Sequence, residues 1–475
     1  MTCARALGRA ALSVTLLALA GCPTATESDG GVDAPSMDVP ATDRDTAVTG
    51  DATSSDAPDA PTEDDAPSPS DAPLSDASPS DALEIADAPE IADAPEIADA
   101  PVADVPPQRG RCVANGLVHT CACESSGGVS CWGLNPRGQL GDGSTTSSPL
   151  PVHVPGLSGV IGLSAGTGAT TEWNGGHTCA LRDDGTVLCW GSNSEGQVGD
   201  GTNDERHVPT AVLGITDAIE ISGLGAHTCA LHASGAVSCW GDNTYGALGD
   251  GTRTARSSPV AVLGLDDAVG IATGVAQSCA LRAGGTVVCW GLNASGALGD
   301  GTASTRLTPV NVLGIRDAVE VRGGSYTTCA RHADGTISCW GSGMYGALGD
   351  GLASHPAVHC SLECTEIPVT VLGVDDAVEL ATGQHFGCAL RVGGSVSCWG
   401  DNRDGAVGIG SLGASVLAPM EVVGLADAAE VTAGWTGVCA RRETGELVCW
   451  GDNGFGTVGD GTTIDRRSPA AVVLP

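Results

Sequence analysis

The tripeptide Cys-Trp-Gly occurs seven times, beginning at Cys131, Cys189, Cys239, Cys289, Cys339, Cys398 and Cys449, at spacings of 58, 50, 50, 50, 59 and 51 residues. A frame held over seven copies means one supersecondary unit repeated, with each copy burying its apolar face against its neighbours. In the fourth copy, residues 268–271 read as a short strand, 278–282 as a second and 286–291 as a third. A long Gly-rich loop follows, and residues 309–314 read as a fourth strand that begins on Pro309, where a missing N–H is tolerated. These runs are short, β-branched and bounded by Gly, Asp and Asn, and none has a helical period.

The turn between strands two and three is the most tightly specified feature. Cys179 and Cys189 lie ten apart, which centres a three-residue loop on Asp183-Asp184-Gly185. A type I turn closed by a left-handed Gly and a bulge has that length, and Gly recurs there as Gly235, Gly285, Gly335, Gly394 and Gly445. The register sets the two cysteines of each unit opposite one another: Cys121/Cys131, Cys179/Cys189, Cys229/Cys239, Cys279/Cys289, Cys329/Cys339, Cys388/Cys398 and Cys439/Cys449. Cys112/Cys123 and Cys360/Cys364 complete an even set. With no Cys-x-x-Cys metal spacing, nine disulfides are expected of an exported chain. The alternative is a set of small buried hydrophobes.

Seven four-stranded units predict an all-β fold, a seven-bladed β-propeller over residues 108–475. The run from His227 to Thr252 joins His-Thr-Cys-Ala-Leu to Cys-Trp-Gly-x-Asn-x-x-Gly-x-x-Gly-Asp-Gly-Thr. It resembles the repeats of the regulator of chromosome condensation family, and the resemblance covers most of residues 110–475. The resemblance implies the propeller. By the family's name it also implies nucleotide exchange on a nuclear small GTPase and chromatin binding. A secreted bacterial propeller, the second β-lactamase inhibitor protein, is similar in architecture and binds through loops on one face.

The segment before the repeats sets the compartment. Residues 1–21 read as a signal peptide, with Arg5 and Arg9 ahead of an apolar run too short to span a bilayer, ending in Leu19-Ala20-Gly21-Cys22. This resembles a bacterial lipobox, which makes Cys22 the lipidated residue and places the chain at the cell envelope, with the outer membrane as the expected destination. Residues 22–107 are rich in Asp, Ala and Pro. Residues 23–107 hold 22 acids against Arg44 and carry -21 of the chain's -36. Without aromatics to bury, the segment reads as a disordered tether with a reach on the order of 280 Å. The repeat region carries -17 and the whole chain has no Lys. That excludes basic nucleic-acid stripes and Lys-based covalent chemistry, and it weighs against the nuclear role.

Several motifs tempt a chemical reading. His119, His177 and His227 share one position, two before the first Cys; hydrogen bonding to loop backbone is expected rather than a metal ring. Asp200, Asp250, Asp300 and Asp460 open Asp-Gly-Thr loops, and Arg206, Arg256, Arg306 and Arg466 follow at six residues. One carboxylate per loop is too few for calcium, so a structural Asp–Arg clasp is expected. No metal or cofactor is called for. Catalysis would hide where the repeat breaks, and the candidates are His355, His359 and Glu363 in the insertion between Cys-Trp-Gly five and six.

Antiparallel order puts the loops entering strand two and leaving strand three at one end of the propeller. The Asp-Gly turns lie at the other. Outside Cys-Trp-Gly the aromatics are Trp173, Tyr245, Tyr326, Tyr345, Phe386, Trp435 and Phe455, all in or beside the first set of loops. A repeated frame with variable tips is what a recognition face requires. Trp173, Tyr245, Tyr326, Met344, Tyr345, Trp435 and Phe455 are the candidate contacts, with mutual packing beneath the loops as the alternative. The expected function is a monomeric, non-enzymatic protein-binding module at the cell envelope; the other classes are nucleotide exchange and a propeller lyase or hydrolase.

Overall fold

The computed structural model describes residues 111–168, 175–355, 359–360, 363–413 and 415–474. The signal peptide, Cys22 and the tether lie outside them. The described residues form seven antiparallel four-stranded sheets, each built from four consecutive strands: residues 113–153, 160–211, 218–261, 268–311, 318–370, 377–421 and 428–471. The molecule is a seven-bladed propeller. Among the described residues its one helical element is a single 3₁₀ turn, Met344–Gly346.

First strands line a central channel, and fourth strands form the rim, with half-exposed patterns such as that of Arg306–Asn311. This fourth strand begins three residues earlier than its sequence suggests and carries Pro309 in its interior. It is an outer edge strand beside a break in register between Cys289 and Gly291, so the missing N–H costs no ladder bond. The expected turn is present: Gly185 has φ 77° and Gly285 has φ 77°. Paired cysteines stand opposite one another in every blade.

Blades adhere through the Cys-Trp-Gly tryptophans, all seven of them fully buried. Each indole Nε1 donates to a backbone carbonyl in the long loop of the preceding blade: Trp190 to Gln139 O at 2.9 Å, Trp290 to Ala247 O at 2.8 Å, and Trp450 to Ala406 O at 2.9 Å. The first Gly of Gly-Asp-Gly lies flat against the same ring. A Cβ on Gly141 would stand 2.6 Å from Trp190 Nε1 and one on Gly249 2.8 Å from Trp290 Nε1, so no larger residue fits. The circle closes in the same way. Trp132 of blade one donates to Thr457 O of blade seven at 2.8 Å, and Gly459 lies on the Trp132 ring. Val113, Ala122 and Trp132 pack with Leu447, Val458 and Val472. The last strand, Arg466–Ala471, pairs within its own blade, so closure is by packing rather than by a shared strand.

Candidate functional site

The long loop after strand three is held by the same contacts in almost every blade. In blade three the buried Asn243 accepts from Leu248 N at 3.0 Å through Oδ1, while its Nδ2 donates to Thr252 O at 3.2 Å and Thr254 O at 3.1 Å. Asn135, Asn193, Asn293, Asn402 and Asn453 act alike. The Asp–Arg clasp closes the loop: Arg206 Nε lies 2.5 Å from Asp200, Arg306 Nε 2.8 Å from Asp300 and Arg466 Nε 2.6 Å from Asp460, with Arg256 on Asp250 at 3.0 Å. Burial would raise these four carboxyls. Hydrogen bonds from the Thr two residues on and from the Arg outweigh it and hold them below the usual range. The frame leaves two residues at each loop tip free to differ, including Ser194-Glu195, Thr244-Tyr245, Met344-Tyr345 and Arg403-Asp404.

Blade five departs from this frame. Gly343 replaces the Asn, and no Arg follows Asp350 at six residues. His355 replaces the Arg of the clasp, its Nε2 2.7 Å from Asp350, and its ring occupies the space a side chain on Gly343 would fill without making the Asn's hydrogen bonds. His359 pairs with Glu366 at 3.4 Å, and the Glu363 side chain is exposed. The three residues singled out for catalysis therefore do not converge. His355 is buried on Asp350 and His359 is exposed beside Glu366, in an insertion stapled by Cys360–Cys364.

The equivalent histidines depart from expectation in one respect. His119, His177 and His227 all bond side-chain hydroxyls, and backbone bonding of the expected kind is seen at His177. Their Nε2 atoms meet hydroxyls of the next blade, Thr178, Thr228 and Ser278, each at 2.8 Å; His177 adds Thr167 O at 3.2 Å. The strand start points its side chain into the blade interface, which sequence spacing does not reveal. Burial, with the neighbouring histidine as a smaller contribution, lowers His119 to about 3 and His177 to about 4. Burial lowers His227 to about 4.

Cysteines are joined in nine disulfides: Cys112–Cys123, Cys360–Cys364 and the seven ten-residue hairpin pairs. Cα separations of 4.0 to 4.1 Å across the hairpins match facing positions without ladder bonds. So many disulfides suit an oxidising compartment.

The aromatic loop residues fall into two groups. Tyr245, Tyr326, Met344, Tyr345 and Phe455 are half-buried. Trp435 is 8% exposed and Phe386 4%. Trp435 is a structural joint and not an open contact: its N–H reaches Gly116 O of blade one at 3.3 Å, and its carbonyl accepts from Gln384 N of blade six at 3.0 Å. Trp173 lies outside the described residues.

Sequence reasoning missed the channel. Glu220, Glu320, Glu379 and Glu430 stand on first strands, and Arg111 and Arg322 reach among them. Glu320 accepts from Arg111 at 3.1 Å, Arg322 at 3.0 Å and Arg331 at 3.0 Å. Arg111 also lies 3.1 Å from Glu379 and donates to Leu380 O at 2.6 Å and Val431 O at 3.0 Å. The channel holds a cavity of about 120 Å³ bordered by Arg111, Glu220, Ser222, Thr273 and Arg322. Burial raises Glu220 to about 7 against the pull of Arg322. The recurrence of Glu two residues after Ala218, Ala318, Ala377 and Ala428 was a visible signal for this network. Among the described residues no group of His, Cys, Asp and Glu could hold a metal, and no helix is long and apolar enough to cross a membrane.

Comparison with known proteins agrees with this geometry. The yeast protein RCC1 (Prp20), in its complex with Kap60, superposes with TM-score 0.63 at 19% identity, covering 77% of this chain and 88% of that one. Prp20p of Saccharomyces cerevisiae, described with its binding to Gsp1p and histones, gives TM-score 0.62 at 21% identity over 73% of this chain and 85% of that one. These likenesses establish the fold. The RCC2 homolog of Danio rerio is 33% identical over 104 residues, 22% of this chain and 19% of that protein, so the chain spans about a fifth of that relative's length. The model of the RCC1 repeat matches residues 126–171. That of the RCC1-like domain matches residues 171–474, more than half of the chain. The chain belongs to the RCC1-like domain family.

Proposed function

We propose that this protein is an exported, non-enzymatic binding module that recognises a protein partner through the loop end of its propeller, and that lipid on Cys22 and the acidic segment 23–107 hold it at the cell envelope. The observation that carries the reading is the loop frame. Buried Asn, Gly and Asp contacts recur nearly unchanged around the ring, while the tips they hold at one end differ from blade to blade. Chemistry that is fixed beneath and varied above serves recognition. Nine disulfides favour an oxidising compartment over a nuclear one. The His355 side chain is buried against Asp350, away from any open cleft. The yeast relative's binding to Gsp1p and histones is a precedent for protein recognition by this fold.

Capture from envelope extract by residues 108–475 tests the binding role. A specific partner is expected, and it is lost on combining Tyr245→Ala, Tyr345→Ala and Phe455→Ala without a matching fall in thermal stability. Unchanged capture by the triple variant rejects the loop end as the binding face. The anchor has its own test: Cys22→Ser should move the protein from the membrane to the soluble fraction, and retention at the membrane rejects lipidation.

A further inference from the structure

Inside the channel the repeat is broken at one register position. Glu220, Glu320, Glu379 and Glu430 hold it in blades three, five, six and seven. Gly162 holds it in blade two, opposite Leu181 as Glu220 is opposite Leu231 and Glu379 opposite Leu390. The carboxylates serve the next blade: Glu220 accepts from Ile271 N at 3.2 Å and Glu379 from Val431 N at 2.8 Å. Leu163 N, the equivalent amide of blade two, donates to Arg111 O at 2.8 Å. The amide at this position therefore faces out of its own blade. Ile221 N stands there in blade three, in the register of Ile271, and the residue that should serve it is Gly162, which has no carboxylate. The cavity of about 120 Å³ lies at this gap, and Gly162, Ile221 and Glu220 border it together with Arg111 and Arg322. At that volume it holds on the order of eight waters, or a ligand of a few heavy atoms. Its border is rich in donors. Arg111 Nε is buried without a hydrogen-bond partner. Thr382 and Thr432 line the cavity from blades six and seven, each 6% exposed, and among the described residues neither hydroxyl has a partner. Buried donors left open cost stability unless a ligand or solvent completes them.

We propose that the channel binds a small carboxylate of about glycolate size, its carboxyl group taking the place of the side chain missing at Gly162, on Ile221 N and the Arg111 guanidinium, and its hydroxyl turned toward Thr382 and Thr432. The other blades show what the position accepts: a carboxylate against an inward amide, with a guanidinium alongside. Glu320 and Glu379 each lie 3.1 Å from Arg111. Charge complementarity supports an anion, since the charged residues bordering the cavity are Arg111, Arg322 and Glu220, two cations to one carboxyl. Glu220 sets the pH response. Burial raises it to about 7 against the pull of Arg322, Ile271 N and Arg111, with Glu320 adding to the rise, and these are the groups that face it. A second carboxylate beside Glu220 favours its protonated form, so binding takes up a proton and strengthens as pH falls through that value.

Isothermal titration calorimetry and saturation-transfer NMR on the intact chain test this, with sodium glycolate as the probe at constant ionic strength and its neutral isostere glycolamide as the comparison. Glycolate should bind at one site with a dissociation constant on the order of 1 mM, as suits so small a ligand, and glycolamide at least about tenfold more weakly. Gly162→Glu supplies the missing carboxylate from the chain itself and should abolish glycolate binding. The charge-matched Gly284→Glu, in an exposed turn, should leave it within about twofold. Thr432→Val should weaken it several-fold and keeps the proposal testable should Gly162→Glu fail to fold. Affinity should fall between about pH 6 and 8 in the unaltered protein and stay flat in Glu220→Gln. No glycolate signal at about twentyfold that constant, which would leave the cavity to solvent, equal binding of glycolamide, or undiminished binding in a folded Gly162→Glu would overturn the proposal. So would undiminished binding in Thr432→Val where Gly162→Glu does not fold.

Discussion

Each Cys-Trp-Gly indole donates to one carbonyl of the neighbouring blade, but the carbonyls differ in what else reaches them. Ala247 O also accepts from Ser278 Oγ at 2.9 Å. In blade seven Val438 stands where Ser278 does, and among the described residues Trp450 is the side-chain donor to Ala406 O. Trp450→Phe thus strands a buried acceptor, whereas Trp290→Phe leaves one served. Urea denaturation should show Trp450→Phe losing more stability than Trp290→Phe, by about 1 kcal/mol. The interface histidines give a second residue-scale expectation. Their folded values of about 3 to 4 lie below the unfolded value of 6.5, so the unfolded chain binds protons more readily. Stability is then fully present above the unfolded value and falls as pH drops below it, by about 2 kcal/mol per histidine at pH 5. Glu220, raised to about 7, Asp452, raised to about 6, and Glu379, also raised, work in the opposite sense, while His385, lowered to about 4, adds a fourth histidine to the first side. Thermal melts between pH 7 and 5 should show a falling midpoint, and the slope should flatten in a variant with Gln at 119, 177 and 227, the residue that blade four carries as Gln277.

At the scale of one blade, the disulfides and the loop frame do different work. A hairpin disulfide closes a loop that the turn already closes, so its entropic contribution is less than the roughly 2–3 kcal/mol of an isolated loop of that size. All seven hairpin pairs are buried, whereas Cys112 is partly exposed. Native-state reduction followed by alkylation and mass spectrometry should therefore open Cys112–Cys123 and leave the hairpin pairs intact until the chain is unfolded. Extensive labelling of hairpin cysteines in the native state would contradict this. The ten-residue register was legible because the turn between strands two and three has few solutions at that length. The placement of strand four was not: Pro309 marks a strand start only on the assumption that the strand needs its N–H bonds, and an edge strand does not. Blade five shows the same limit, since nothing in the spacing of Gly343 and His355 says that one ring fills the place of a missing Asn.

The ring as a whole is closed by side-to-side contacts, and Arg111 is one of the longest reaching of them. It enters ahead of blade one and binds Glu320 of blade five, Glu379 and Leu380 O of blade six and Val431 O of blade seven. Removing one partner from a buried charge network leaves the others uncompensated. Arg111→Ala should destabilise the propeller by about 3 kcal/mol, with faster hydrogen exchange concentrated in blades one and seven; a uniform change, or none, would deny Arg111 that closing role. A sevenfold frame and its family resemblance were enough to specify a propeller of seven blades and cysteines that face one another, because repeat length, strand alternation and turn length are local quantities. Burial at the interfaces is not local. Only the tertiary structure decided that three histidines serve hydroxyls of the next blade, that Trp435 is a joint between loops while Tyr345 lies half-buried against Arg403, and that glutamates from four separate repeats meet in one channel, because each outcome depends on which neighbour a side chain meets once the ring has closed.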